Sequence, residues 1–247
     1  MVVGRLLVAV LAVFLLFNWV ATRWQSDRGQ AGIAVCAVVL VATGFAEWLI
    51  FRRRVRELAP RLGLTRPRAR GVLVAGAVGV LLLLLFPVFA LATGSSLAMY
   101  PGWAWLLPGL FAQAGIAEEV LFRGFLFGRV REPRSFWRAA VVASVPFTAV
   151  HLVLLWMFDW PIALAALLLA VVISFPQAHL YELGRRTIWG PAIVHFVVQG
   201  AIKVIVVDGP AAASFPLVWM AACGVIPFAA FMANRADEPN LESARAR

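Results

Sequence analysis

The chain has 247 residues, 63% of them hydrophobic and 14% charged, with a mean hydropathy of +0.90. That balance excludes an ordinary soluble domain, because apolar runs of about 20 residues are the length that crosses a bilayer. The net charge of +10 would suit a nucleic-acid binder, but the arginines sit in the gaps between apolar runs. There they act as topology signals and require no nucleic-acid partner.

The first apolar run, about residues 2–21, holds Arg5 as its one charge and ends Val20-Ala21-Thr22-Arg23 with no A-x-A-like cleavage pattern. It is expected to remain as a helix and not to leave as a signal peptide. Further transmembrane helices are expected over about 31–51, 71–93, 103–130, 139–158, 161–181, 188–207 and 211–232. Turn and breaker residues separate them, among them Asp27-Arg28-Gly29, Arg66-Pro67, Gly94-Ser95-Ser96, Glu132-Pro133 and Asp208-Gly209-Pro210. The expected fold class is thus all-α, a polytopic integral membrane protein of about eight transmembrane helices. The chain divides into 1–102, three helices with a basic loop at 52–70; 103–232, a helical core; and 233–247, a polar tail. Cys36 and Cys223 lie in apolar runs and read as small buried hydrophobes.

Charge sets the expected orientation. Of the 22 basic residues, Arg52, Arg53, Arg54, Arg56, Arg61, Arg66, Arg68 and Arg70 share the 52–70 loop, and Arg129, Arg131, Arg134 and Arg138 flank the next loop on that side. With Arg5, Arg185, Arg186, Arg235, Arg245 and Arg247, 18 of the 22 fall on one side; Arg23 and Arg28 fall on the other, and Arg123 and Lys203 within spans. The positive-inside rule then places both termini in the cytoplasm, as for a multi-pass protein of a bacterial inner membrane.

Three of the chain's few intramembrane charges are concentrated in Ala117-Glu118-Glu119-Val120-Leu121-Phe122-Arg123. A charge at bilayer depth costs roughly 2.5–3.5 kcal/mol on insertion scales, so such a group faces a protein interior and marks function by default. Glu119 and Arg123 are spaced i,i+4 and can pair within one helix. Glu118 lies ~100° away around an α-helix and is left to titrate or to bind. His151 and His195 stand on two other helices; at ~1.5 Å per residue they reach depths similar to Glu119, in what would be the cytoplasmic half. His179 fits that layer poorly. Gln199, four residues after His195, adds a carboxamide. Carboxylates, imidazoles and an amide donor are the kit of hydrolysis: a base for water and donors for an oxyanion. Glu47 and Lys203 lie near span ends and are expected to reach the interface.

Glu118-Glu119-x-x-x-Arg123, then Phe147-x-x-x-His151, then Trp189 six residues before His195 resemble the CAAX protease and bacteriocin-processing (CPBP, or Abi) family of intramembrane endopeptidases. The resemblance spans roughly 103–200. It implies that Glu118 and His151 activate the attacking water, that Glu119 and Arg123 shape the first motif, and that His195 and the residue four later stabilise the oxyanion. That last residue is Asn in the family and Gln199 here. The substrate implied is a peptide or membrane protein met in the lipid bilayer. The favoured chemistry is glutamate-dependent with no cofactor; a divalent metal such as zinc would take its ligands from Glu118, Glu119, His151 and His195. Two other readings remain open: a catalytically silent membrane scaffold or bacteriocin-immunity-type protein of the same fold, and a proton-coupled carrier using Glu118 and Glu119.

Overall fold

Apolar runs with no breaker fold as long helices. The computed structural model describes residues 2–24 and 27–233. The helices are α1 (Val2–Arg23), α2 (Arg28–Leu49), a short α3 (Val55–Arg61) in the basic loop, α4 (Ala69–Leu83) and α5 (Leu85–Thr93). Next, α6 (Trp103–Leu110) runs through two π-helical stretches, Phe111–Ala117 and Val120–Phe127, into α7 (Gly128–Arg131). Then come α8 (Phe136–Val150), a 3-10 turn (His151–Val153), α9 (Leu154–Met157), α10 (Trp160–Leu183), α11 (Trp189–Val204), α12 (Phe215–Val225) and a closing 3-10 stretch (Ile226–Met232). The expected tail lies, beyond Ala233, outside the described residues.

Among the described residues, six helical segments are long and apolar enough to cross a membrane: Gly4–Arg23, Arg28–Leu49, Ala69–Thr93, Phe136–Met157, Trp160–Leu183 and Ala212–Met232. The other two expected spans differ for physical reasons. The helix over 103–131 carries Glu118, Glu119 and Arg123, and α11 has only 16 residues.

The described residues are mostly helical, as an all-α chain requires, with one local exception at one end of the bundle. The helix expected to reach residue 207 stops at Val204, and Ile205–Asp208 forms a strand, β2. Its Ile-Val-Val run is β-branched and favours extended backbone. It pairs antiparallel with Ser96–Met99, β1, with Ser96 opposite Asp208 and Met99 opposite Ile205. At the same end, Trp105 Nε1 donates to Asp27 Oδ1 at 2.9 Å, and Asp27 caps α2 through the Gln30 N–H.

The opposite end gathers the basic loops. Arg61 pairs with Glu132, Arg129 with Glu47, and Arg131 with Glu182. The Ile188 N–H donates to the Gly63 carbonyl, and Trp189 Nε1 to the Thr65 carbonyl at 2.6 Å. Glu47, expected to reach the interface, is instead buried at 1% exposure beside Arg129, whose guanidinium lies over the Phe51 ring.

The long 103–131 helix is seated by backbone contact. A Cβ on Gly32 would fall 2.0 Å from the Gly109 carbonyl oxygen, and one on Gly124 would fall 2.3 Å from that of Leu62. Only glycine permits approaches this close.

Candidate active site

Both glutamates of the charged motif sit between the two π-helical stretches. The Glu118 N–H donates to the Gln113 carbonyl and the Gly128 N–H to the Arg123 carbonyl, each spanning five residues. Such wide turns are rare and recur at functional sites. Glu119 is fully buried; its Oε1 accepts from Arg123 Nη1 at 3.0 Å. The Arg123 guanidinium also lies 4.4 Å from the centre of the Phe147 ring, which meets Phe122 edge-on. The i,i+4 pair expected from the sequence is present, held from behind by an aromatic face.

His195 on α11 reaches the same carboxylate from the other side. Its Nδ1 donates to Glu119 Oε1 at 2.5 Å. With that proton on Nδ1, Nε2 is left to accept, and the Gln199 amide nitrogen stands 3.1 Å from it. Lys203 Nζ donates to Gln199 Oε1, also at 3.1 Å. His195, Gln199 and Lys203 follow at intervals of four on one face of α11, so a polar chain runs from Arg123 to Lys203. His195 Nε2 is also 3.5 Å from Glu118 Oε2.

His151 opens the 3-10 turn that ends α8. Its Nδ1 donates to the Phe147 carbonyl at 2.7 Å, which leaves the Nε2 lone pair unengaged by that bond.

Glu118, His151, His195, Gln199 and Lys203 line one cavity of about 520 Å³ whose other walls are apolar. Glu119 and Arg123 are not among its walls. The structure thus separates the two glutamates: Glu119 supports the ring of His195, and Glu118 faces open space. Of the six candidate site residues, four reach the cavity and two stand behind it.

Two placements, Lys203 and the direction of the cavity, differ from the sequence reading. Lys203, expected to reach the interface, lines the cavity and holds Gln199. Its signal was present in the sequence, since it is the one lysine and extends the His195–Gln199 spacing by four. His179 lies apart, its ring against Phe231 and its Nε2 bonded to the Ala233 carbonyl. The cavity also extends away from the basic loops. It runs from Glu118 and Phe147 near mid-bundle to Phe158, Ile162 and Pro216 at the end that bears β1 and β2.

The metal alternative is tested by the donors themselves. Glu119 Oε1 is shared by Arg123 and His195, and His195 Nε2 faces the Gln199 amide, whereas the His151 Nδ1 bond to a carbonyl leaves its Nε2 available. Among the described residues, no group of three or more His, Cys, Asp or Glu side chains is arranged to hold a metal ion.

Residues 100–201 match the model of the family described as type II CAAX prenyl endopeptidase Rce1-like. The central segment is similar to that family. This agrees with the resemblance to the CPBP family, and the match contains every candidate site residue from Glu118 to Gln199 and stops short of Lys203. It covers about two-fifths of the chain. No curated protein and no solved structure matches the chain. The Rce1-like family is one of membrane-embedded proteases, and the apolar helices on either side of the matched segment accord with an integral multi-pass membrane protein.

Proposed function

We propose that the chain is an intramembrane endopeptidase in which Glu118 is the general base. The observation that carries this reading is the division of the motif: Glu118 faces a cavity shared with His151, His195 and Gln199, while Glu119 is spent on Arg123 and His195. A water held between the Glu118 carboxylate and His151 Nε2 gives its proton to Glu118 as its oxygen bonds to the substrate carbonyl carbon. The carbonyl oxygen takes negative charge and receives the second N–H of the Gln199 amide. His195 keeps that amide in place, its Nε2 standing 3.1 Å from the Gln199 nitrogen. Glu118 then returns the proton to the amide nitrogen as the C–N bond breaks. No metal takes part in these steps.

The long stem of Gln199, in place of the family's Asn, is accommodated in this reading because its amide already reaches His195 and its oxygen reaches Lys203. The reading includes eight membrane crossings, with 103–131 and α11 as the two that carry the site, and the Arg-rich end in the cytoplasm. Alternation along the chain supports it: Asp27 and the connections at 94–102 and 205–211 gather at one end, and those at 51–68, 132–135 and 184–188 at the other.

The test is cleavage of membrane polypeptides by the purified protein and by Glu118→Gln. We expect a loss of about 10²–10⁴-fold in turnover, the usual span for a removed general base, with unchanged thermal stability. Equal cleavage by both proteins excludes Glu118 as the base.

A further inference from the structure

We infer that the cavity takes apolar polypeptide segments from the side of the membrane opposite the Arg-rich loops, so that substrates are exported or outward-facing chains. The inference deepens the proposed function and rests on its orientation of the bundle.

Two cavities occupy the two ends. The one at the basic end, about 630 Å³, is lined by residues such as Arg56, Arg61, Glu132, Tyr181 and Arg186 and contains none of the candidate site residues. Between it and the site, the 103–131 helix offers no passage: Arg123 to Phe127 are all buried, with Phe125 fully so. The site cavity extends toward the other end, where its lining includes Phe158, Ile162 and Pro216. Val153 and Phe158 on its rim are about half exposed, and Pro216 lies at the start of α12, next to the connection from β2. The catalytic groups are therefore reached from the β1–β2 end.

Charge fixes which side that is. Among the described residues, the β1–β2 end bears Arg23 and Arg28, against 15 basic residues on the other side. Under the positive-inside rule the mouth then faces out of the cytoplasm. The wall chemistry names the occupant: apart from Glu118, His151, His195, Gln199 and Lys203, it is aliphatic, aromatic or otherwise apolar, which suits an apolar chain segment and not a polar loop.

The test uses thiol labelling of the full chain in native membranes, in a background with Cys36 and Cys223, both buried, replaced by Ala. Ile162→Cys reports the cavity and Arg56→Cys the basic loop. A membrane-impermeant maleimide is expected to label Ile162→Cys in intact cells and Arg56→Cys only in inverted vesicles. Labelling of Ile162→Cys only in inverted vesicles, or from neither side, overturns the inference. Labelling of Arg56→Cys in intact cells overturns the orientation beneath it, and so the inference with it. Neither readout depends on turnover, so failure here is distinct from failure of Glu118→Gln to lose cleavage.

Discussion

Lys203 donates to Gln199 Oε1 across 3.1 Å, and that bond turns the amide nitrogen of Gln199 toward His195. A free carboxamide can present either end to a neighbour. Here the ammonium selects the acceptor end for itself and leaves the donor end for the cavity. The two residues work as a unit, four apart on one face of α11.

The unit makes an expectation about the family's shorter side chain. Gln199→Asn removes a methylene and cannot keep both 3.1 Å contacts at once. A neutral hydrogen bond is worth about 1 kcal/mol net, so turnover is expected to fall by roughly 5–10-fold, mostly in kcat. Lys203→Met frees the amide to flip and is expected to cost a similar factor, which Lys203→Arg restores in part. Steady-state kinetics on the three variants measure this; a Gln199→Asn enzyme faster than the parent contradicts the coupling.

A packing prediction follows from α2 and the 103–131 helix. Gly109 Cα faces the backbone of Gly29 so closely that a Cβ would fall 2.5 Å from it. A backbone atom cannot swing aside as a flexible side chain can. Gly109→Leu is therefore expected to push the two helices apart and to lower the yield of folded protein sharply, with a loss of several kcal/mol. Gly76→Leu, where a Cβ meets nothing within 4 Å, is the control and is expected to leave yield unchanged. Size-exclusion profiles of the two variants in detergent decide it.

Asp27 gives a pH-dependent readout outside the membrane-spanning segments. The Gln30 N–H, and with it the Trp105 indole, holds the carboxyl below the usual carboxylate range. A lowered folded-state pKa means that the stabilisation is present above the unfolded value of about 3.9 and is lost as the pH falls through the folded value. Thermal midpoints are expected to decline over that acid window, and less so in Asp27→Asn. The carboxyl is exposed to solvent, so the difference between the two curves is expected to be small.

How far the sequence carried this reading depends on the kind of interaction. The Glu119–Arg123 pair was legible because both partners lie on one helix at a spacing that geometry fixes. The gathering of Glu118, His151 and His195 was legible from the motifs, since each belongs to a separate apolar run. The π-helical turns were not, because no residue pattern announces a five-residue hydrogen bond. Lys203 was placed at the interface because a long side chain near a helix end usually finds water; the cavity brings a polar wall to it instead. The β1–β2 pair was hidden for a related reason. Val, Ile and Leu serve a membrane helix and a strand alike, and only the partner segment 109 residues away in sequence decides between them.

Glu119 and Arg123 should behave as a structural pair and not as catalysts alone. The ion pair is buried, with side chains 0% and 4% exposed. Removing one partner strands the other charge out of water, at a cost of about 3–5 kcal/mol. Glu119→Gln is thus expected to lower the thermal midpoint markedly, whereas Glu118→Gln is not. Arg123→Met alone should destabilise for the same reason. The double variant Glu119→Gln with Arg123→Met removes both charges, and is expected to recover most of the lost stability without recovering turnover, because the His195 ring loses its carboxylate. A thermal-unfolding cycle over the four proteins measures the coupling. Additive losses from the two single changes would mean that the pair does not act as one.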